Sequence, residues 1–170
     1  MNLPQILRQL QYKQWADKRT LDAVALIDTQ RFSSEMAFAC QQLNHMVRVE
    51  EVFRARLLGS MEPHATSNSE VVPSLDVLGK RLLASNGWLL EYTASIPAEK
   101  LAEEIHFRFL DALGGTMTRE EILFHLVNHG TYHRGAIGRA LDLAGDLRPA
   151  DTYTVFIHAM EPGRRAGSCL

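Results

Sequence analysis

Three of the seven histidines, His125, His129 and His133, stand four residues apart in one apolar stretch. At ~100° per residue, four steps along an α-helix return to almost the same face one turn on. The apolar stripe there reads Ile122, Leu126, His129, His133, Ala136, Ala140 and Leu143, which places His129 and His133 mid-stripe and His125 toward one edge. Two neutral imidazoles in an apolar seam need partners for both a donor and an acceptor nitrogen; two charged ones repel and lose hydration. A divalent cation resolves this by taking one nitrogen from each ring, and an i, i+4 pair of histidines is well suited to ligating one.

A third nitrogen is available from elsewhere. His45 is the only histidine on any other long helical pattern, and it flanks a core stripe beside Met46. His45, His129 and His133 are therefore the candidate ligands of one divalent ion per chain. His64, His106 and His158 read as solvated or locally bonded side chains.

Three imidazoles leave coordination positions open, as catalytic sites do. Such a site can activate a water or a thiolate, which suits a hydrolase or a thiol transferase. Signatures of other chemistries are absent: no Ser-His-Asp or Cys-His set, no phosphate-cradling glycine loop and no His-Glu-x-x-His. Asp17 and Gln14 interrupt the apolar stripe of the first helix; they either line the metal pocket or form a surface pair at the edge of the stripe. His125 is a fourth ligand, a proton shuttle or an outer hydrogen-bond donor, and its position off the stripe centre favours the last two; Asp17 and His125 are the candidate catalytic residues. Arg134 and Tyr132 point away from His133 and read as packing or interface residues.

Four long helical patterns must position these groups. The first runs from about Leu3 to Asp28, capped by Asn2, with the stripe Leu3, Leu7, Leu10, Gln14, Asp17, Leu21 and Val24. The second runs from about Ser34 to Leu58 and stops at Gly59; its stripe, Ala39, Leu43, Met46, Glu50, Phe53 and Leu57, contains a glutamate. The third starts near Ser74 and ends before Pro97, with Ser85 in its stripe. The fourth opens on the capping box Thr118-Arg-Glu-Glu121 and stops at Gly145. Between the third and fourth, Ile105, Phe107 and Phe109 alternate with His106 and Arg108 ahead of Gly114-Gly115, the pattern of a short hairpin. A short helix is expected from about Thr152 to Met160, and a flexible tail over residues 161–170.

This is the pattern of an all-α four-helix bundle with a short extra C-terminal helix, one domain over residues 1–160. The short first link makes helices one and two antiparallel neighbours. The fifteen residues from Gly59 to Pro73 form either a crossover or a site loop. Extended, they span up to ~50 Å, against ~36 Å for a helix of this size, so an up-down-down-up order is allowed.

Composition narrows the function. Apolar residues are 46%, charged residues 22% and the net charge is -2, so no disordered or basic, nucleic-acid-binding character shows. No apolar run suits a membrane span, and no leader pattern opens the chain, which gives a cytoplasmic expectation. Two cysteines, Cys40 and Cys169, do not make a disulfide framework.

The segment His125-Leu-Val-Asn-His-Gly-Thr-Tyr-His-Arg-Gly135 resembles the terminal-helix motif of the DinB/YfiT-like superfamily of bacterial metal-binding four-helix bundles. Leu43-Asn-His-Met46 with Phe53 and Leu57-Leu-Gly59 is similar to its second-helix histidine segment, and Tyr12-Lys-Gln-Trp-Ala-Asp17 to its first-helix pattern. The resemblance implies an up-down-down-up bundle and metal ligation by His45, His129 and His133. It further implies a homodimer, an ion such as nickel or zinc, and in some relatives a low-molecular-weight thiol in a transfer or isomerisation. Damage-inducible expression, and a non-catalytic stress or interaction role, also belong to that picture. Asp17 replaces the family's usual Asn, Phe53 an aromatic that is often Trp, and Ala136 a common Gln, so no single relative's substrate carries over.

Overall fold

The computed structural model describes residues 2–109 and 113–165. Cys169 and the rest of the expected tail beyond 165 lie outside them. Four long helices dominate: α1 (Leu3–Val24), α2 (Ser33–Leu58), α3 (Leu75–Ser95) and α4 (Arg119–Ala144). A 3-10 turn (Ala98–Ala102) and the antiparallel hairpin β1 (Glu104–Arg108) and β2 (Gly114–Thr118) join α3 to α4, and the short α5 (Tyr153–Met160) follows. Among the described residues no helix is long and apolar enough to cross a membrane.

Local chemistry sets these ends. Asn2 and Gln5 cap α1 reciprocally, and Thr118 and Glu121 do the same for α4. Helices α2 and α4 stop at Gly59 and Gly145, both left-handed, a conformation that costs glycine nothing. Helix α1 ends at Val24, short of the expected Asp28, because Ile27 leaves the helix to enter the core. The hairpin pairs Ile105 with Met117 and Phe107 with Gly115. A Cβ at Gly115 would lie 2.7 Å from the Phe107 ring, so only glycine lets that ring lie across the strand. At the C-terminus, Pro162–Arg164 make a 3-10 turn, and Glu161 pairs with Arg8 of α1.

Two apolar layers fix the topology. One joins Leu21 and Val24 of α1, Ala39 and Leu43 of α2, Leu78 and Leu82 of α3, and Ile137 and Leu141 of α4. The other joins Ile6 and Leu10, Phe53 and Leu57, Leu89, and Ile122 and Leu126. The end of α1 thus meets the starts of α2 and α3 and the end of α4, which is the up-down-down-up order. Helices α1 and α2 each pack on α3 and α4. The expectation that α1 and α2 are packed neighbours is therefore corrected: they stand across the diagonal. The eight-residue link 25–32 reaches up to ~28 Å and easily spans a diagonal of ~14 Å.

The burial face of two helices also differs from the apolar pattern. On α1 the buried line passes through Ile6, Leu10, Lys13 and Asp17, with Leu7 and Gln14 displaced to its side. On α4 it passes through Leu123, Val127, Gly130, Arg134, Ile137 and Leu141. His129 and His133 consequently lie on the flank that faces α2, half-buried, and not mid-stripe.

Candidate metal centre

Helices α2 and α4 pack along their length, bringing His45 level with His129 and His133. One ligand nitrogen from each of the three rings falls within 4.8 Å of the others. His45 Nε2 and His133 Nε2 each lie 3.1 Å from His129 Nε2. The other nitrogens of two rings point outward. His45 Nδ1 meets Asn68 Oδ1 at 3.2 Å, and His133 Nδ1 meets Gln42 Oε1 at 2.6 Å. A carbonyl oxygen only accepts, so each Nδ1 carries the proton and donates. Both inner Nε2 atoms then present bare lone pairs to His129. A single N–H on His129 could serve only one of them, whereas a cation takes all three nitrogens. The three side chains are therefore close enough to hold one ion, with His45 and His133 in the tautomer that presents Nε2; His129 Nδ1 is buried and makes no hydrogen bond.

Electrostatics agree with neutral rings. Burial pushes His129 down to about 3, helped by the neighbouring His133, His125, His45 and Lys13. Burial and His45 bring His133 down to about 4. Burial alone lowers His125. Imidazoles that resist protonation keep their lone pairs for a metal.

The link 59–73 is both crossover and site loop. It runs back along the outside of α2, with Glu62 on Arg56, His64 on Glu51, the Thr66 carbonyl on Arg48, Asn68 on His45 and Ser69 on Asn44. The strap carries the chain to the start of α3 and delivers Asn68 to the back of His45. His106 and His158 make local hydrogen bonds with Thr116 and the Thr154 carbonyl, as their positions suggest.

A cleft of about 440 Å³ opens beside the histidines, lined by His45, Val49, Phe53, Met117, His125 and His129 among others. The His125 ring is tilted against Phe53 at 5.1 Å and against His129 at 5.4 Å between ring centres. Its ring lies in the wall of the cleft one turn from His129.

The expectation that Asp17 and Gln14 line this pocket is corrected. Asp17 is fully buried and committed elsewhere: Oδ2 accepts from Lys13 Nζ at 2.7 Å and Asn86 Nδ2 at 2.9 Å, and Oδ1 from Arg134 at 2.7 Å. Gln14 does not line the cleft either. Lys13, 0% exposed, also pairs with Glu50 at 2.7 Å and Asn86 at 2.7 Å. Ser85 donates to Glu50 at 2.5 Å. Arg134 reaches Asp151, which also accepts from Tyr12. Against the cost of burial, Lys13 and Arg134 hold the Asp17 carboxyl below its usual range; burial, reinforced by Asp17, pushes Glu50 up. This charged layer ties the four helices together between the two apolar layers. Arg134 belongs to it, while Tyr132 is 74% exposed. Glu50 and Ser85 inside apolar stripes were its sequence signal; Lys13 gave none.

Searches of curated proteins and of solved structures returned no match. The DinB family profile matches residues 2–164, a stretch holding all three histidines and all four helices, and the chain belongs to the DinB family.

Proposed function

We propose that the protein is a metal-dependent enzyme acting on a small molecule, with one divalent ion held by His45, His129 and His133. The observation that carries this is the convergence of three Nε2 atoms directly beside an open cleft, with the outer nitrogens of His45 and His133 held by Asn68 and Gln42. Imidazole ligands suit zinc or nickel. Such an ion supplies Lewis-acid activation of a water or a thiol. The chain's own residues do the rest: Asn68 and Gln42 fix the tautomers of His45 and His133, the largely apolar wall contacts the bound molecule, and His125 offers a hydrogen bond inside the cleft. A hydrolase or a transferase using a low-molecular-weight thiol fits this arrangement.

The second reading is a non-catalytic metal-binding protein with a stress or interaction role. The cleft favours the enzyme, because a purely structural ion is closed off by protein ligands. We extend the proposal to a homodimer, the commonest symmetric assembly; sedimentation showing only monomer at micromolar concentration rejects that part.

The test is elemental analysis of protein purified without an affinity tag, followed by a thiol-conjugation and hydrolysis screen. About one ion per chain is expected, lost in His133→Ala. Full occupancy in that variant rejects the site. A wild-type protein that carries metal yet turns over nothing favours the second reading.

A further inference from the structure

The cleft has a direction. Along α2 its lining residues are His45, Val49, the adjacent Val52 and Phe53, and Arg56, so that they climb one face of the helix at steps of about one turn. From His45 to Arg56 that face rises ~16 Å. Helix α4 supplies the matching wall: His129 stands level with His45, and His125 one turn away stands level with Phe53. The hairpin closes the far side with Phe109 and Met117. His45 and His129 therefore sit at one end; beyond them the walls are mostly valine, phenylalanine and methionine, with His125 in one wall and Thr66 and Ser67 of the strap also lining the cleft.

The far end carries little usable charge. Arg56 lines it, but its Nε donates to Glu62 at 2.7 Å, its Nη2 donates to the Arg108 carbonyl at 3.0 Å, and its guanidinium lies over the Phe53 and Phe107 rings. Its charge is paired and its planar face is spent on aromatic surface. Among the described residues that line the cleft, a carboxylate-bearing arm would meet only the already paired Arg56, and it would lose hydration against Val49 and Val52. An apolar arm would bury surface against Val49, Val52, Phe53, Phe109 and Met117.

We propose that the substrate of this site is a two-part molecule: a metal-binding polar head at the histidines and an uncharged alkyl or aryl arm extending along α2 toward Arg56. Val49, Val52, Phe53 and Met117 determine specificity for that arm, and His125 hydrogen-bonds the junction between head and arm. The volume of about 440 Å³ suits a small organic ligand. This rests on the metal-dependent reading above.

Hydroxamic acids test it, since one metal-binding head can carry many tails. Zinc-loaded protein is titrated with acetohydroxamic, hexanohydroxamic, octanohydroxamic and benzohydroxamic acids, and with a tail of hexanoyl length ending in a carboxylate. Affinity should rise about fourfold per added methylene until the cleft is filled, and the carboxylate tail should lose most of that rise. Val52 is only partly buried, so Val52→Asp should keep its fold and its zinc while losing the tail-dependent rise. Flat affinity across the tails, or equal binding of the carboxylate tail, overturns the inference while acetohydroxamate binding leaves the metal site standing. A protein that takes up no zinc and binds no hydroxamate overturns both.

Discussion

Gln42 and His133, 91 residues apart in sequence, meet at 2.6 Å with the imidazole N–H donating to the amide oxygen. That bond decides which nitrogen of His133 faces inward. Asn68 does the same for His45 from the crossover strap. Such partners commonly alter metal affinity by about 10- to 100-fold. Gln42→Leu and Asn68→Ala should each weaken zinc binding within that range, while the melting temperature of the chelated protein changes little, since neither side chain is buried. Competition with a chromogenic chelator measures it. Unchanged affinity in both variants means the tautomers are set by something else.

The charged layer makes the second prediction. Lys13 is shared by Asp17 and Glu50, and all three are buried. Removing one member leaves charge without a partner, which costs about 3–5 kcal/mol. Lys13→Met should destabilise by that order in urea unfolding, and Lys13→Met with Asp17→Asn and Glu50→Gln should recover part of the loss. A Lys13→Met loss below about 1 kcal/mol would show that water reaches the layer, because exposed pairs contribute no more than that.

These two sites were unequally legible in the sequence. The histidines announced themselves because two of them repeat at the helical period and the third stands alone on a second helix. The caps at Asn2 and Thr118 and the stop at Gly59 are local chemistry and were readable for that reason. Lys13 was not: with Asp17 at i+4 it looks like an ordinary solvated helix pair, and its burial depends on Asn86, 73 residues away. Arg134 depends on Asp17 across 117 residues. Long charged side chains within a helix carry no periodic signal when the partners that neutralise them come from other helices. For the same reason the buried faces of α1 and α4 were misread: Lys13 and Arg134 occupy positions that an apolar count assigns to the surface, and Gly130 leaves no apolar mark. The diagonal placement of α1 and α2 was hidden too, since loop length allows it without requiring it.

Gly130 provides the third prediction. A Cβ there would lie 2.8 Å from an Arg134 guanidinium nitrogen and 3.6 Å from Lys13 Cε. Alanine in mid-helix ordinarily gains about 1 kcal/mol over glycine. Here the guanidinium cannot swing aside freely, because it is bonded to Asp17, Asp151 and Thr131. Crowding of this kind costs about 1–3 kcal/mol, so Gly130→Ala should be destabilising on balance, and Gly135→Ala, where a Cβ meets open space, should be neutral or stabilising. Thermal unfolding of the two variants side by side checks the sign. A stabilised Gly130→Ala would mean that the Arg134 network adapts at little cost.

The last prediction joins metal, pH and stability. The two apolar layers exceed anything a small zinc-dependent domain can build, so the bundle should fold without its ion. The ion should still stabilise by mass action, by about 2.7 kcal/mol at 100 times its dissociation constant. Chelated protein should then show its own pH dependence. His129 and His133 titrate near 6.5 in an unfolded chain, but at about 3 and about 4 in the fold. Between those limits the unfolded chain binds more protons, so falling pH favours unfolding. Stability of the chelated protein should decline from about pH 6.5 downward, and the decline from these two rings should level off near pH 3–4. With metal present the slope should be steeper, because protons must also displace the ion. The measurement is urea unfolding at several pH values from 7.5 to 4.5, with and without a strong chelator, on wild type and on His129→Phe with His133→Phe. The double variant should lose the chelator effect and much of the slope. If wild type melts identically with and without the chelator after metal is shown to be fully removed, the three histidines are ordinary packed side chains and not a site.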